Sequence, residues 1–457
     1  MAWALLVPPG QSPDEPSHVA YAQTLAERGE RPEPDDVAGR VRAFSTEQQL
    51  ARERSHWEWA IAEPRVRPEW RTSVFRRWQR EQGRLPSAAR ENGGGPNSAS
   101  GNPPLYYGYV AVAYHAAGGS SFFARYYAMR IASALLLLVA VAATWLLVGE
   151  LTGRDRLLQL AGAACVGLQP MASFISASVN PDGALIAVWA LVFWLGVRLV
   201  RGEATALSAC LLIGATLLAL LTKASSFALL PAVGLVLAVA ARRTMRGRQI
   251  GLARLAPFAV AGIAVVVVAA VAGSERLGDS LQGGPGDLRA FASYLWQAYL
   301  PNLPFQERIP NLAAFHGYDI WVRSSWGAFG WLEVLLPRPV HALLALLSLV
   351  VAAGAIAAVA RGRLALDRVA IAFFALAGVA LVAGLHWAEY RQFVEQDQAF
   401  IQGRYLLPLL PVAGVGVAAA LANLVPARRA IPVALLLAGL FVLELFSLGM
   451  VAARFYA

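Results

Sequence analysis

The sequence predicts an all-α integral membrane protein: a bundle of about ten spans with long loops carrying short helices on one side. Three observations predict it. Of 457 residues, 57% are hydrophobic and only 15% are charged, whereas a soluble domain carries roughly 25% charge. The apolar residues fall in runs of about the 20 residues needed to cross a bilayer. Arginine recurs in the short loops after every second run. Together these exclude a soluble enzyme, and they make the net charge of +10 topological, with nucleic-acid binding excluded as a main role.

In chain order, residues 1–8 (MAWALLVP) are apolar but too short to span. They lack the basic start and cleavage site of a signal peptide. Residues 1–9 therefore read as the remnant of a truncated first helix, and a complete chain would have about eleven spans starting inside. Residues 10–125 read as the first extracytoplasmic loop with amphipathic helices, in which 83–102, rich in Gly, Ser, Asn and Pro, is expected to be flexible. Membrane helices occupy 126–273 and 338–457, and a second long extracytoplasmic loop occupies 274–337. The expected spans are 126–149, 157–178, 182–200, 204–221, 225–241, 252–273, 338–360, 369–387, 405–424 and 430–452.

Orientation follows from the arginines. Arg154 and Arg156, Arg198 and Arg201, the cluster from Arg242 to Arg254, Arg361 to Arg368, and Arg428 with Arg429 mark the cytoplasmic loops. The loops 10–125, 179–181, 222–224, 274–337 and 388–404 are then outside. Cys165 and Cys210 both lie in apolar runs, so no disulfide framework or metal cluster is indicated.

The outer loops hold the unusual polar residues. Pro13 to His18 (PDEPSH) places Asp14, Glu15 and His18 at the membrane edge, a set that suits a general base or a divalent cation. It equally suits a solvated turn in which Ser12, Asp14 or Ser17 caps the following helix. Asn102 to Tyr107 (NPPLYY), with Tyr106, opens an amphipathic stretch ending near Ala117 that reads as an interfacial helix. Arg130 at the start of the next span suits a snorkelling anchor or a ligand. Asn180-Pro181-Asp182 separates two spans, and Asp182 could be a helix cap.

Lys223 is the single lysine beside 38 arginines. A compact ammonium behaves as a point charge toward phosphate, so its retention at a membrane edge is notable, though chance explains it as well. The loop 321–337 holds Trp321, Trp326, Phe329 and Trp331, whose flat faces suit sugars or the membrane interface. Arg404, in Gln402-Gly403-Arg404-Tyr405, stands where a lipid phosphate would lie. Acids, one lysine, arginines and aromatics thus gather on one side of an apolar bundle, where charge is costly and tends to be functional.

The ordered set PDEPSHVAYAQTLAERG, NPPLYY, Arg130, SASVNPDG, LTKAS, WGAFGWLEVLLP and QGRYLLPLLP resembles a family of bacterial polytopic membrane proteins of unknown function, over about residues 10–425. That family is similar to the GT-C glycosyltransferases. The resemblance implies a GT-C-like bundle in the bacterial inner membrane. It also implies transfer of a sugar, with inversion, from a polyprenyl-phosphate donor to a glycan, lipid or protein acceptor of the cell envelope on the extracytoplasmic face. Asp14 matches the catalytic acid position after the first helix, with Glu15 as second candidate. Lys223 and Arg404, with Arg130, match positions expected on the donor phosphate. His18, Asn180, Asp182, Tyr106, Trp326 and Trp331 are expected to shape the substrate site. A divalent cation is left open. The alternatives are a transporter or flippase of lipid-linked glycans, for which no internal repeat is evident, and an inactive envelope-assembly subunit.

Overall fold

The computed structural model describes residues 1–33, 42–62, 65–68, 70–119, 121–202, 205–246, 285–309, 312, 317–364, 366–396 and 401–457. Seven helices are long and apolar enough to cross a membrane: Phe122–Thr152, Pro181–Arg201, Ala224–Arg243, Arg338–Ala360, Arg368–Phe393, Gly403–Ala422 and Pro426–Tyr456. A bent pair, Arg156–Gly167 and Pro170–Ser176, makes an eighth crossing if it is one span. The chain is a multi-pass integral membrane protein.

Before the first span come α1 (Ala2–Leu6), α2 (Glu15–Arg28), α3 (Thr46–Arg54), α4 (Trp57–Ala62), α5 (Thr72–Gln82), α6 (Ala88–Glu91) and α7 (Leu105–Ala116). The bundle follows with α8 (Phe122–Thr152), α9 (Arg156–Gly167), α10 (Pro170–Ser176), α11 (Pro181–Arg201), α12 (Ala206–Leu220) and α13 (Leu230–Arg246). After α14 (Pro285–Tyr299) come α15 (Arg338–Ala360), α16 (Arg368–Gln396), α17 (Leu410–Ala422) and α18 (Ala430–Tyr456).

Three expectations change. The run 204–221 forms α12, a 15-residue helix of about 22 Å at ~1.5 Å per residue, shorter than the ~30 Å hydrocarbon core, although it carries the chain from the Arg201 end of α11 back to Lys223, which pairs with Asp182 at the other end. The run 157–178 is broken by 57°, because Pro170 starts a new helix and the Gln169 side chain caps it by accepting from the Ala172 N–H. The count of about ten spans becomes seven or eight among the described residues, and the run 252–273 lies outside them. The stretch 83–102 is packed: Gly93 to Gly95 are buried, and the Glu33 N–H donates to the Gly94 carbonyl at 2.8 Å. The strands Ala328–Phe329 and Val334–Leu335 form a small antiparallel hairpin within the tryptophan-rich loop. Gly330, at its turn, has φ +64, which only glycine adopts without cost.

α11 is the axis of the bundle, lying along α8 on one side and α12 on another. Trp189, Val192, Phe193 and Val197 on it are fully buried, and the Trp189 indole donates to Ser226 Oγ at 3.2 Å. α15 and α18 instead expose Leu346, Leu349, Ile356, Leu435 and Phe441, apolar faces suited to lipid. A cavity of about 350 Å³ gathers Arg201, Arg363 and Arg429 with the ends of α8 and α17, so arginine-bearing loops share one end of the bundle. Asp182 begins α11 and Arg201 ends it, so the polar motifs sit at the other end.

One buried ion pair locks that second end. Arg130, fully buried on α8, sends Nε and Nη2 to the Glu15 carboxylate at 2.7 and 2.6 Å. Its remaining N–H groups reach the carbonyls of Ala4, Val7 and Pro8, at 3.0, 2.5 and 3.2 Å. Those carbonyls lie in α1 and just beyond it, where a helix end leaves acceptors unsatisfied. Glu15 Oε1 also accepts from the Val179 N–H at 3.0 Å. All five guanidinium donors are used, and α1, α2, α8 and the approach to α11 are joined at one point.

Removing one partner strands a buried charge, which costs about 3–5 kcal/mol. Arg130→Met is therefore expected to lower the thermal midpoint in detergent sharply, and Arg130→Met with Glu15→Gln to recover much of the loss. Equal damage from single and double variants would show that the pair is not the lock.

Candidate functional site

The site starts from the conformation of one residue. Asp14, ahead of α2, has φ 59 and ψ 1, the left-handed region. Asp tolerates this better than most residues, but it remains uncommon outside glycine. Its side chain makes no cap bond to α2, so the capping reading of Asp14 does not hold. With Glu15 drawn inward by Arg130, the reversed backbone at Asp14 turns its carboxylate the other way. There Asp14 Oδ2 accepts from Arg404 Nη2 at 2.9 Å, with the Asp14 side chain 40% exposed and Arg404 only 2%.

Asp182 joins from the start of α11. The helix cap there is Asn180, not Asp182: Asn180 Oδ1 accepts from the Asp182 N–H at 2.9 Å. Asn180 Nδ2 also donates to the Pro13 carbonyl at 3.3 Å, tying this loop to the one bearing Asp14. The Asp182 carboxylate is left to bind cations. Lys223 Nζ donates to Oδ1 at 2.5 Å, and Arg404 Nε stands 3.7 Å from Oδ2.

Arg404 lies in the 3₁₀ turn Gly403–Leu409. That turn packs tightly on the tryptophan-rich loop: the Gly403 N–H donates to Ser324 Oγ at 2.7 Å. A Cβ on Gly403 would fall 2.4 Å from the Ser325 nitrogen, so no other residue fits. The Tyr405 ring underlies both cations, with Lys223 Nζ 5.1 Å and Arg404 Cζ 5.3 Å from its centroid. Arg404 Nε and Nη1 are buried without a hydrogen-bond partner among the described residues, and so is Asp182 Oδ2.

His18, one turn along α2 from Asp14, completes the cluster. It is buried, and its Nδ1 lies 2.7 Å from Tyr107 Oη. Burial pushes its pKa down to about 4, and the charges of Asp14, Lys223, Asp182 and Arg404 act on it in turn. Burial likewise holds the Tyr107 phenol well above its usual range.

Asp14, His18, Asn180, Asp182, Lys223 and Arg404 are thus brought together from four stretches of chain. Glu15 and Arg130 are not: each occupies the other, which removes Glu15 as a second catalytic acid and Arg130 as a phosphate ligand. Tyr106 is buried with its hydroxyl 3.0 Å from Ser133 Oγ. The Trp331 indole donates to the Gly10 carbonyl at 3.0 Å, and Trp326 packs against the cluster that contains Trp3, Phe174 and Phe329. These three brace the surrounding loops. Tyr107 and Tyr405 carry no role in the sequence reading, because a tyrosine at a membrane edge reads equally well as an interfacial anchor.

Among the described residues no three His, Cys, Asp or Glu side chains stand together as a cation site. The set Asp14, Glu15 and His18 does not fit one, since Arg130 holds Glu15 and Asp14 faces Arg404.

The chain belongs to the family of predicted membrane proteins DUF2142, which matches residues 1–413. Among solved structures it is similar to ArnT from Cupriavidus metallidurans in the apo state, at 18% identity and a TM-score of 0.39, covering 77% of this chain. The matched part spans 63% of that protein's length, less than two thirds. No curated protein matches the chain.

The His18 environment gives a signed pH effect. An unfolded histidine takes up a proton near pH 6.5, whereas His18 in the fold resists protonation until about 4. The unfolded state therefore binds more protons within that window, so stability falls as pH drops from 6.5 toward 4, by at most roughly 3 kcal/mol, and is unaffected above it. His18→Gln is expected to reduce the fall in thermal midpoint between pH 7.5 and 5. An unchanged fall would mean that His18 is protonated in the fold.

Proposed function

We propose that this protein is a GT-C-type glycosyltransferase. In this reading it moves a sugar from a polyprenyl-phosphate donor to an envelope acceptor, with Asp14 as the general base. One observation supports the reading above the rest. Arg404 keeps two buried nitrogens, Nε and Nη1, without hydrogen-bond partners among the described residues, beside Asp14, a half-exposed carboxylate. A buried unsatisfied donor costs about 1–3 kcal/mol, more when charged, and an arginine fork matches phosphate oxygens. The motif resemblance adds the reaction class.

The chemistry follows from the charges. Arg404 and Lys223 hold the donor phosphate, and Asp182 orients both cations. Asp14 takes the proton from the acceptor hydroxyl as its oxygen attacks the anomeric carbon. The bond from that carbon to the phosphate oxygen breaks on the opposite side, which inverts the centre. The electron pair leaves on the phosphate, where the two cations stabilise it. The face opposite the arginine-rich loops would be extracytoplasmic, where lipid-linked sugars meet envelope acceptors.

Label transfer from a panel of decaprenyl-phosphate-linked pentoses and hexoses, with the protein in nanodiscs, tests the proposal. Asp14→Asn is expected to cut turnover by about 10²–10⁴-fold with the thermal midpoint retained. Turnover at the wild-type rate in Asp14→Asn would overturn the assignment of the base. Absence of transfer with every donor, alongside facilitated movement of the lipid across the bilayer, would favour a flippase.

A further inference from the structure

His18 belongs to the charged cluster, yet the reaction as written does not use it. Its ring is tied from behind by a chain of hydrogen bonds. Asn102 Nδ2 donates to the Ala99 carbonyl at 3.1 Å and to Tyr107 Oη at 3.2 Å. Tyr107 Oη lies 2.7 Å from His18 Nδ1. The Tyr107 ring is pinned by stacking on Tyr21, with centroids 3.7 Å apart and planes within 7°.

The chain has a direction. Tyr107 is fully buried and its oxygen already accepts from Asn102. Its own proton needs an acceptor, and His18 Nδ1 is the one within reach. Nδ1 must then be unprotonated, which places the proton of the neutral ring on Nε2. The reverse arrangement, Nδ1–H donating to Tyr107, would leave the phenol proton buried with nowhere to go. His18 Nε2 has no hydrogen-bond partner among the described residues, and the charges acting on the ring are those of the cluster: Asp14, Lys223, Asp182 and Arg404.

We infer that His18 is a ligand-contacting residue: a neutral imidazole whose Nε2–H donates to an oxygen of the bound phosphate, with Tyr107 and Asn102 as positioning residues that fix its tautomer. The inference rests on reading the cluster as a phosphate site. A neutral donor suits this place. Two carboxylates already face two cations, so a further charge would either overbind the leaving phosphate or draw Asp14 away from its proton. The low pKa keeps the ring uncharged throughout the working range.

The test uses the full chain in nanodiscs with decaprenyl phosphate as probe. With ¹⁵N-labelled histidine, the His18 signal, identified by its loss in His18→Gln, is expected to report the neutral Nε2–H form from about pH 8 to 5.5. It should shift on adding the lipid. Tyr107→Phe is expected to give a tautomer mixture. His18→Leu should weaken decaprenyl phosphate binding about tenfold, the loss of one hydrogen bond. His18→Gln, whose amide N–H stands close to the position of Nε2–H, should stay within about threefold of wild type.

Arg404→Gln provides the control for the phosphate site itself. If that variant binds the lipid as wild type does, the phosphate reading fails. If it weakens binding while His18→Leu does not, only the inference about His18 fails. An Nδ1–H tautomer, or a charged ring at neutral pH, would also overturn it, independently of any binding result.

Discussion

The buried pair of Glu15 and Arg130 constrains the rest of the site. A fully buried guanidinium is costly unless its donors are engaged, and here Glu15 and three carbonyls at the end of α1 engage all five. The same carboxylate accepts from Val179, just ahead of Asn180 and the start of α11. Once Glu15 is held, its neighbour has little freedom. Asp14 adopts left-handed backbone, and two acids adjacent in sequence point to opposite surroundings, one dry and paired, the other half-open. Strain of this kind, about 1–3 kcal/mol, persists where the surrounding structure over-determines it.

The site itself is nearly balanced in charge. Lys223 and Asp182 pair closely, and Arg404 reaches toward both Asp182 and Asp14. Arg404 is nonetheless under-used, with the N–H groups of Nε and Nη1 buried and without hydrogen-bond partners among the described residues. Against the full engagement of Arg130, this separates an arginine that holds the fold from one that, in the proposed reading, takes the donor phosphate. The close packing of Gly403 on Ser324 and Ser325 fixes the turn from which Arg404 projects, so the open donors are held in place before any ligand arrives. The Tyr405 face beneath both cations adds to that order.

The sequence made the membrane class and most spans legible, because long apolar runs and arginine-rich loops are one-dimensional signals. Bends and short helices were not legible: Ala206–Leu220 and the break at Gln169 depend on where caps and prolines act, not on mean hydropathy. At the site, the motifs pointed to the right stretches of chain but not to the division of labour within them. Nothing local distinguishes Asp14 from Glu15, or Arg130 from Arg404, since the difference lies in partners more than 100 residues away. The cap fell to Asn180 and not to Asp182 for a similar reason: either can cap a helix, and Lys223 and Arg404 draw the Asp182 carboxylate away. Tyr107 became visible only through its bond to His18.

The most direct measurement is an experimental map of the protein with decaprenyl phosphate bound in a nanodisc. Phosphate density within hydrogen-bond distance of Arg404 Nε or Nη1 and close to Lys223, with the Asp14 carboxylate facing it, is the result this account predicts. Lipid phosphate bound elsewhere on the bundle, with Arg404 still turned only to Asp14 and Asp182, would contradict it.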